Sequence, residues 1–282
     1  MRKFWMFIAL WFFVSFSITA QAPFPSADEI KQFVNSKTCV VLEANTMSVY
    51  NTYIRKAING YWKITPFEFI TSDDFESRRN DPAYSFILLT ETKYEKDKSG
   101  TVYYFLNLLQ GKNVEEIGKM PEVCAVPLAV AGVDDLEYGY KLGAVLSFIQ
   151  NHALRISENP SLTGRRYLRF YNSYSPEVKK KVLLLRKEDL APDVNTDEKI
   201  KAVYPGKFEI VGDEEIIRAV QEKAEGKLIL HKVGPSENST SGICFKMLIG
   251  TDDAQMYYYN EHMISKTYPD GFLSSDFKRI AE

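Results

Sequence analysis

Acidic side chains that recur as neighbours are the first candidates for chemistry in this sequence. A glycosidase works with two carboxylates, one as the general acid and the other as nucleophile or base. The acidic runs are Asp73-Asp74, Asp134-Asp135, Asp213-Glu214-Glu215 and Asp252-Asp253. Three of the four open predicted helices, where the positive end of the helix dipole stabilises negative charge, and the fourth lies in a predicted turn. We therefore interpret them as helix starts and a turn, not as a catalytic pair.

The histidines and glycines lack the spacing of familiar metal, nucleotide and nucleophile sites. None of His152, His231 and His262 has a second histidine or a cysteine three to five residues away, as zinc sites require. The 15 glycines form no phosphate-binding loop, and no Gly-x-Ser-x-Gly motif occurs. The sequence thus assigns no catalytic, cofactor-binding or metal-binding residue, and it predicts a protein that is not an enzyme and needs no cofactor.

The three cysteines, Cys39, Cys124 and Cys244, each lie in an apolar, strand-like run. No Cys-x-x-Cys pair is present to lower a thiol pKa, so a redox enzyme is not expected. We interpret the cysteines as buried small hydrophobic residues. A Cys39–Cys124 disulfide is the alternative, since both residues lie in the same half of the chain.

The segment from Gly164 to Tyr171, followed by Tyr174, interleaves basic and aromatic residues. We favour an interdomain strand whose aromatic side chains pack between two modules while its arginines face water. In the alternative, Arg165 and Arg166 contact a partner protein. Nucleic acid is not expected as a partner, because the formal charge of the 282-residue chain is −2.

Composition and the N-terminus place the chain among exported globular proteins. The content of 45% apolar and 26% charged residues excludes collagen-like and wholly disordered chains. Arg2 and Lys3 precede an apolar stretch from Phe4 to Phe16, and small residues lead to Ala20, the expected end of a secretory signal peptide. An uncleaved membrane anchor is the alternative, but this stretch falls short of the roughly 20 residues that span a bilayer. We expect a periplasmic or secreted protein with no transmembrane span in its mature chain.

Hydrophobic periodicity divides the chain into two halves with the same order of elements. In the first half it predicts a helix at 28–34 with a capping box from Ser26 to Glu29, strands at 38–44, 63–70, 84–90, 102–109 and 123–129, and helices at 48–59, from 72, and at 135–156. In the second half it predicts strands at 182–187, 207–211, 228–233, 243–249 and 255–264, and helices at 197–203, 213–225 and 273–280.

Landmarks at nearly constant separation indicate that the halves arose by tandem duplication. The matched positions are Val40 and Val182, Lys63 and Lys207, Ser85 and Lys227, and the dipeptides Ser99-Gly100 and Ser241-Gly242. The predicted organisation is a signal peptide (1–20), a first module (21–158), a linker (159–176) and a second module (177–282). Each module has the order βαβαβββα, an α/β (α+β) fold with helices packed on a mixed sheet.

This order of elements resembles the N-terminal α/β module of the TolB-like proteins and of the curli-secretion channel family, here in tandem duplicate. The resemblance is carried by the element order and by the runs SFILLTE and GKLILHK, each leading into a hairpin. In those modules a strand, a helix, a second strand, a helix and a meander of antiparallel strands share one sheet. The resemblance covers both halves, implies an envelope protein that binds or assembles with other proteins, and brings no catalytic residues.

The sequence therefore favours an exported, non-catalytic protein whose duplicated modules bind or scaffold another envelope protein. Two copies of one module offer a wide or two-point binding surface. One alternative is a periplasmic receptor that binds a small molecule or peptide between the modules. A second alternative is a hydrolase whose site is assembled from distant residues.

Overall fold

The computed structural model describes residues 22–164, 166–235 and 239–282. Within these ranges ten strands form two mixed sheets of five strands each, with helices packed against them. This confirms the predicted fold class. The predicted signal peptide and Arg165 lie outside the described residues.

The first sheet carries the order of elements predicted for the first module. Its elements are α1 (Ala27–Val34), β1 (Lys37–Val41), α2 (Val49–Tyr61), β2 (Phe67–Ile70), α3 (Ser72–Arg78), β3 (Tyr84–Lys93), β4 (Val102–Gln110), β5 (Glu122–Val130), α4 (Leu136–Gly139) and α5 (Leu142–Glu158). The strand order is β2-β1-β3-β4-β5. Strand β1 lies parallel to β2 and β3, and β4 and β5 continue the sheet antiparallel.

The second sheet repeats this topology. Its elements are β6 (Val182–Leu185), α6 (Asp197–Lys201), β7 (Lys207–Ile210), α7 (Asp213–Gln221), β8 (Lys227–Val233), β9 (Ile243–Gly250), β10 (Met256–Met263) and α8 (Ser274–Ala281). Read from its parallel edge, the order is β7-β6-β8-β9-β10, with the same strand directions as in the first sheet. Identical order and direction are what a duplication predicts.

Acidic and hydroxyl side chains start the helices, as the sequence indicates. Ser26 and Glu29 form the predicted capping box of α1. Thr71 and Asp74 form a second one at α3, and the acidic run beginning at Asp213 occupies the first turn of α7. These carboxylates stabilise exposed N–H groups at the helix starts.

The helix predicted at 135–156 is broken, because two of its residues turn toward the second module. Tyr140 and Lys141 separate α4 from α5 and form side-chain contacts with that module. The helix is held tightly on either side of the break. A Cβ on Gly139 would lie 2.4 Å from the ring of Tyr53, and one on Gly143 would lie 2.7 Å from the ring of Tyr61.

The predicted register between the halves is wrong by one residue in the first strand. Val40 lies on the α2 face of its sheet, whereas the residue that faces α6 is Leu183, not Val182. A one-residue slip moves a side chain to the opposite face of a sheet. The hairpin glycines do correspond: Gly100 (φ 73°) and Gly242 (φ 120°) both adopt left-handed backbone before the returning strand.

The two sheets turn non-equivalent faces toward each other. In the first sheet, Cys39 faces α3 and Val40 lies on the opposite face with α2 and α5. In the second, Leu183 faces α6 and α8, and Leu184 lies with α7. One continuous cluster contains Val40 and Leu184, so the α2–α5 face of the first sheet packs toward the α7 face of the second. Helix α5 reaches β9 and α7, which explains why it is apolar on almost every side.

All three cysteines are free and buried, as the favoured interpretation expects. Cys39 and Cys124 lie in different apolar clusters, on opposite faces of the first sheet. The alternative of a Cys39–Cys124 disulfide is therefore wrong, because the sheet itself separates the two side chains.

Candidate functional site

The linker between the modules forms a 3-10 helix, Tyr167–Lys180, and not the predicted strand. Its aromatic face is packed, since Tyr171 is 2% exposed and the Tyr167 ring stacks on His152 at 4.7 Å between ring centres. Its basic face is exposed: Arg166 faces water, and Arg169 forms an ion pair with Glu261 at 3.2 Å. The expected exposure of the arginines is confirmed for Arg166 and Arg169, and the expected packing of the aromatic residues holds for Tyr171 but not for Phe170, which is 38% exposed.

Side chains of this linker helix occupy the free edges of both sheets. The Tyr167 hydroxyl accepts a hydrogen bond from the Ala125 N–H of β5 (2.5 Å) and donates one to the Ala125 carbonyl (3.1 Å). The Asn172 amide does the same on β10, accepting from the Tyr259 N–H (2.7 Å) and donating to its carbonyl (2.9 Å). An exposed edge strand pairs readily with other chains, so the linker protects both antiparallel edges from such pairing.

We expect Asn172→Ala to lower the free energy of unfolding by about 1–3 kcal/mol, because it leaves an N–H and a carbonyl of β10 without partners. Urea unfolding followed by circular dichroism measures this change. The matched control is Asn113→Ala at an exposed position, expected to change stability by less than about 0.5 kcal/mol. Equal losses in the two variants would contradict the edge-capping role.

A buried polar network lies beneath the linker helix. His152 Nδ1 is 2.8 Å from the Tyr171 hydroxyl, and burial lowers the pKa of His152 to about 3. Burial likewise raises the pKa of Glu122 to about 7, and its carboxylate lies 3.3 Å from the Tyr167 hydroxyl. His152 is 2% exposed and Cys124 is fully buried, so neither side chain can meet a substrate in this arrangement.

A groove of about 790 Å³ opens where α5, the end of the linker helix and the β9–β10 turn meet. Arg155 donates to the Tyr174 hydroxyl (2.5 Å) and to Gln255 Oε1 (2.8 Å). Lys181 pairs with Asp253 (3.1 Å) and Asp252 (3.6 Å).

The polar groups of this junction groove therefore satisfy one another. Lys181 also lies 4.8 Å from the centre of the Tyr257 ring, and its acidic and aromatic neighbours raise its pKa. The groove is an open polar surface in which Arg155 of the first module donates to Gln255 of the second, while the ion pairs of Lys181 lie within the second module.

A second set of charges joins the modules at the edge of the second sheet where its parallel strands end, which we call its carboxyl edge. Here β6 lies between β7 and β8, the switch point at which open α/β sheets bind ligands. Lys141 of the first module fills it, with its ammonium 3.6 Å from Asp189 and its side chain 3% exposed. Beside it Arg186 pairs with Asp213 at 3.0 Å and donates to the Tyr140 hydroxyl. This edge is closed by the chain's own lysine.

The residue types singled out from the sequence are not brought together into one site. His152 and His231 are buried in separate networks, and His262 lies by the loop before α8, where its ring is 2.9 Å from the Pro269 carbonyl. Burial raises the pKa of all three cysteines, that of Cys39 to about 11. Within the described ranges, histidine, cysteine and acidic side chains nowhere gather in a group able to hold a metal ion.

Sequence reasoning missed the residues that join the modules. Lys141 and Asp189 are 48 positions apart in different modules, and no local pattern links them. The only signal was the polar pair Tyr140-Lys141 interrupting an apolar helix, which is where the helix breaks.

Comparison with protein-family profiles, curated proteins and solved structures finds no match for this chain. The resemblance to TolB-like and curli-secretion modules therefore stays a prediction. In the described part of the chain, no helix combines the length and hydrophobicity that a bilayer crossing requires.

Proposed function

We propose that this protein is exported, is not an enzyme, and acts by binding another envelope protein through a rigid pair of α/β modules. The observation that carries the proposal is the junction between the modules. One apolar cluster runs through both modules, and the linker helix is hydrogen-bonded to an edge of each sheet. Such a junction favours a fixed platform over two lobes that close on a ligand.

The surface supports the same proposal. Several large apolar side chains are exposed, among them Met47 (86%), Leu136 (56%) and Tyr268 (52%). Large apolar side chains exposed to water offer contact area to a protein partner. The nucleophilic and histidine side chains described above are instead largely buried, which supports recognition over catalysis.

Affinity capture tests this proposal. The tagged mature chain is used as bait on native envelopes after chemical crosslinking, with the tag alone as control. We expect one envelope protein to be recovered in a stoichiometric amount with the bait. Recovery of the bait alone, as a monomer, would contradict the proposal.

A variant pair tests the linker arginines as part of the same surface. Arg166→Glu reverses an exposed charge on the linker helix, and Lys56→Glu makes the same change on the exposed side of α2. If the linker contacts the partner, only Arg166→Glu reduces capture. Equal capture by both variants would limit the role of the linker to joining the modules.

The junction groove favours a second candidate function, that of a receptor for a polar peptide or small molecule. Its volume of about 790 Å³ lies within the range of ligand sites. A ligand there must compete with the ion pairs of Lys181 and the hydrogen bonds of Arg155. Thermal-shift screening with small polar molecules and peptides tests it, and a stabilising ligand that loses its effect in Lys181→Ala would favour the receptor.

A further inference from the structure

The carboxyl edge of the first sheet gathers carboxylates around Tyr50, Tyr104 and Tyr138, and the Tyr138 hydroxyl donates to Asp135 at 2.5 Å. Glu43 follows β1, Glu91 lies on β3, and Asp135 precedes α4. Burial raises the pKa of the half-buried Tyr104, the charges of the three carboxylates raise it further, and Glu91 lies directly opposite Tyr104 in the β3–β4 pairing. None of the three forms an ion pair in the portion of the chain that the structure describes.

A buried hydroxyl in this cluster lacks a hydrogen-bond partner. Tyr50 is 0% exposed and its hydroxyl is unpartnered, while Glu43 and Asp135 both act electrostatically on it. Its neighbours hold the carboxylates in place, since the Tyr50 N–H donates to Asp135 (3.0 Å) and Ser48 donates to Glu43 (2.5 Å). A buried polar group without a partner is uncommon, and this one lies beside carboxylates that no cation neutralises among the described residues.

The second module contains an occupied counterpart of this edge. Asp189 lies in the loop after β6, as Glu43 lies in the loop after β1, and it is paired with the buried ammonium of Lys141 from the other module. The chain therefore already uses a lysine from a neighbouring module to fill a carboxyl edge. In the first module the same edge holds acidic groups and no such lysine among the described residues.

Exposed apolar residues stand next to members of the cluster in the chain, and we refer to these residues as the rim. Met47 is 86% exposed, Val49 38% and Leu136 56%, and they flank the hydrogen-bonded pair of Tyr50 and Asp135 along the chain. Carboxylates beside exposed apolar side chains fit a segment that carries both cationic and apolar residues.

We propose that the carboxyl edge of the first sheet, formed by Glu43, Glu91, Asp135, Tyr50 and Tyr104, binds a lysine- or arginine-bearing amphipathic segment of a partner protein. A basic side chain enters between the carboxylates as Lys141 does in the second module, and the apolar residues of the segment cover the rim. The inference rests on the proposed protein-binding function and assigns its contact surface.

The test is a fluorescence-anisotropy titration of the mature protein with a labelled peptide of alternating lysine and leucine. The matched peptide carries glutamate in place of lysine and is expected not to bind. Glu43→Gln/Glu91→Gln is expected to weaken binding of the lysine peptide at least about tenfold. Glu115→Gln/Glu116→Gln changes the net charge equally at exposed positions far from β1 in sequence, and is expected to leave affinity within about twofold.

Tyr50→Phe provides a second variant that does not depend on charge. It removes a hydroxyl without a partner, so we expect about fivefold weaker peptide binding with an unchanged or higher melting temperature. Equal weakening by both glutamine pairs, binding of the glutamate peptide, or no binding at all would overturn the proposal. If envelope capture stays intact in Glu43→Gln/Glu91→Gln, the protein-binding function stands and only this surface assignment fails.

Discussion

Lys246→Met is expected to lower the free energy of unfolding by about 3–5 kcal/mol, the largest effect of any single substitution considered for this chain. Lys246 on β9 and Asp276 on α8 are both 0% exposed, and their charged atoms lie 2.6 Å apart. Removing the ammonium leaves the buried Asp276 carboxylate without its ion-pair partner in the core of the second module. The remaining hydrogen bonds to Asp276, from Tyr258 (2.7 Å), the Asn260 amide (2.7 Å) and the Leu273 N–H (2.8 Å), only partly compensate.

Guanidinium unfolding followed by far-ultraviolet circular dichroism measures this loss. The double variant Lys246→Met/Asp276→Asn removes both charges and keeps a hydrogen-bond acceptor, so we expect it to recover more than half of the lost stability. Lys278→Met, at an exposed position on α8, is expected to change stability by less than about 0.5 kcal/mol. A loss below about 1 kcal/mol for Lys246→Met would show that the pair contributes little.

The sequence was sufficient to predict the strands and the start of α1, because each of these is specified by residues within or next to its own segment. Alternating or continuous apolar runs predict all ten strands within a few residues, and the capping box at Ser26 and Glu29 marks the start of α1. The register between the modules was predicted one residue out. Identical residues such as Val40 and Val182 do not indicate which face of the sheet each side chain lies on. That face depends on which helices pack against the sheet.

The contacts of the charged side chains could not be predicted, because they join residues that are far apart in the sequence. Asp135 was interpreted as a helix start, yet it also accepts a hydrogen bond from the N–H of Tyr50, 85 positions away. Glu43 and Glu91 are brought to one edge only by the parallel pairing of β1 and β3. The linker was predicted as a strand, but it forms a helix from which Tyr167 and Asn172 bond to the edges of the two sheets, contacts that no local pattern indicates.

Between pH 5 and 6, we expect the three buried groups His152, His231 and Glu122 together to lower the free energy of unfolding by about 1.4 kcal/mol for each unit that the pH is lowered. Two buried histidines drive this loss. Burial, with help from Arg155 and Lys141 respectively, lowers the pKa of His152 to about 3 and that of His231 to about 4. Both stay neutral in the folded protein but take up a proton in the unfolded chain below about pH 6.5, so their contribution is complete above that pH and is lost as the pH falls.

Glu122 acts in the opposite direction, which makes the pH dependence a sharp test. Burial raises its pKa to about 7, so it holds a proton in the folded protein where the unfolded chain has lost it, and stability falls as the pH rises toward 7. His231→Gln should therefore make the slope shallower by about 1.4 kcal/mol per unit, whereas Glu122→Gln should make it steeper by about 1.4 kcal/mol per unit. Urea unfolding at several pH values measures these slopes. If both variants keep the original slope, His231 and Glu122 do not titrate as their burial requires.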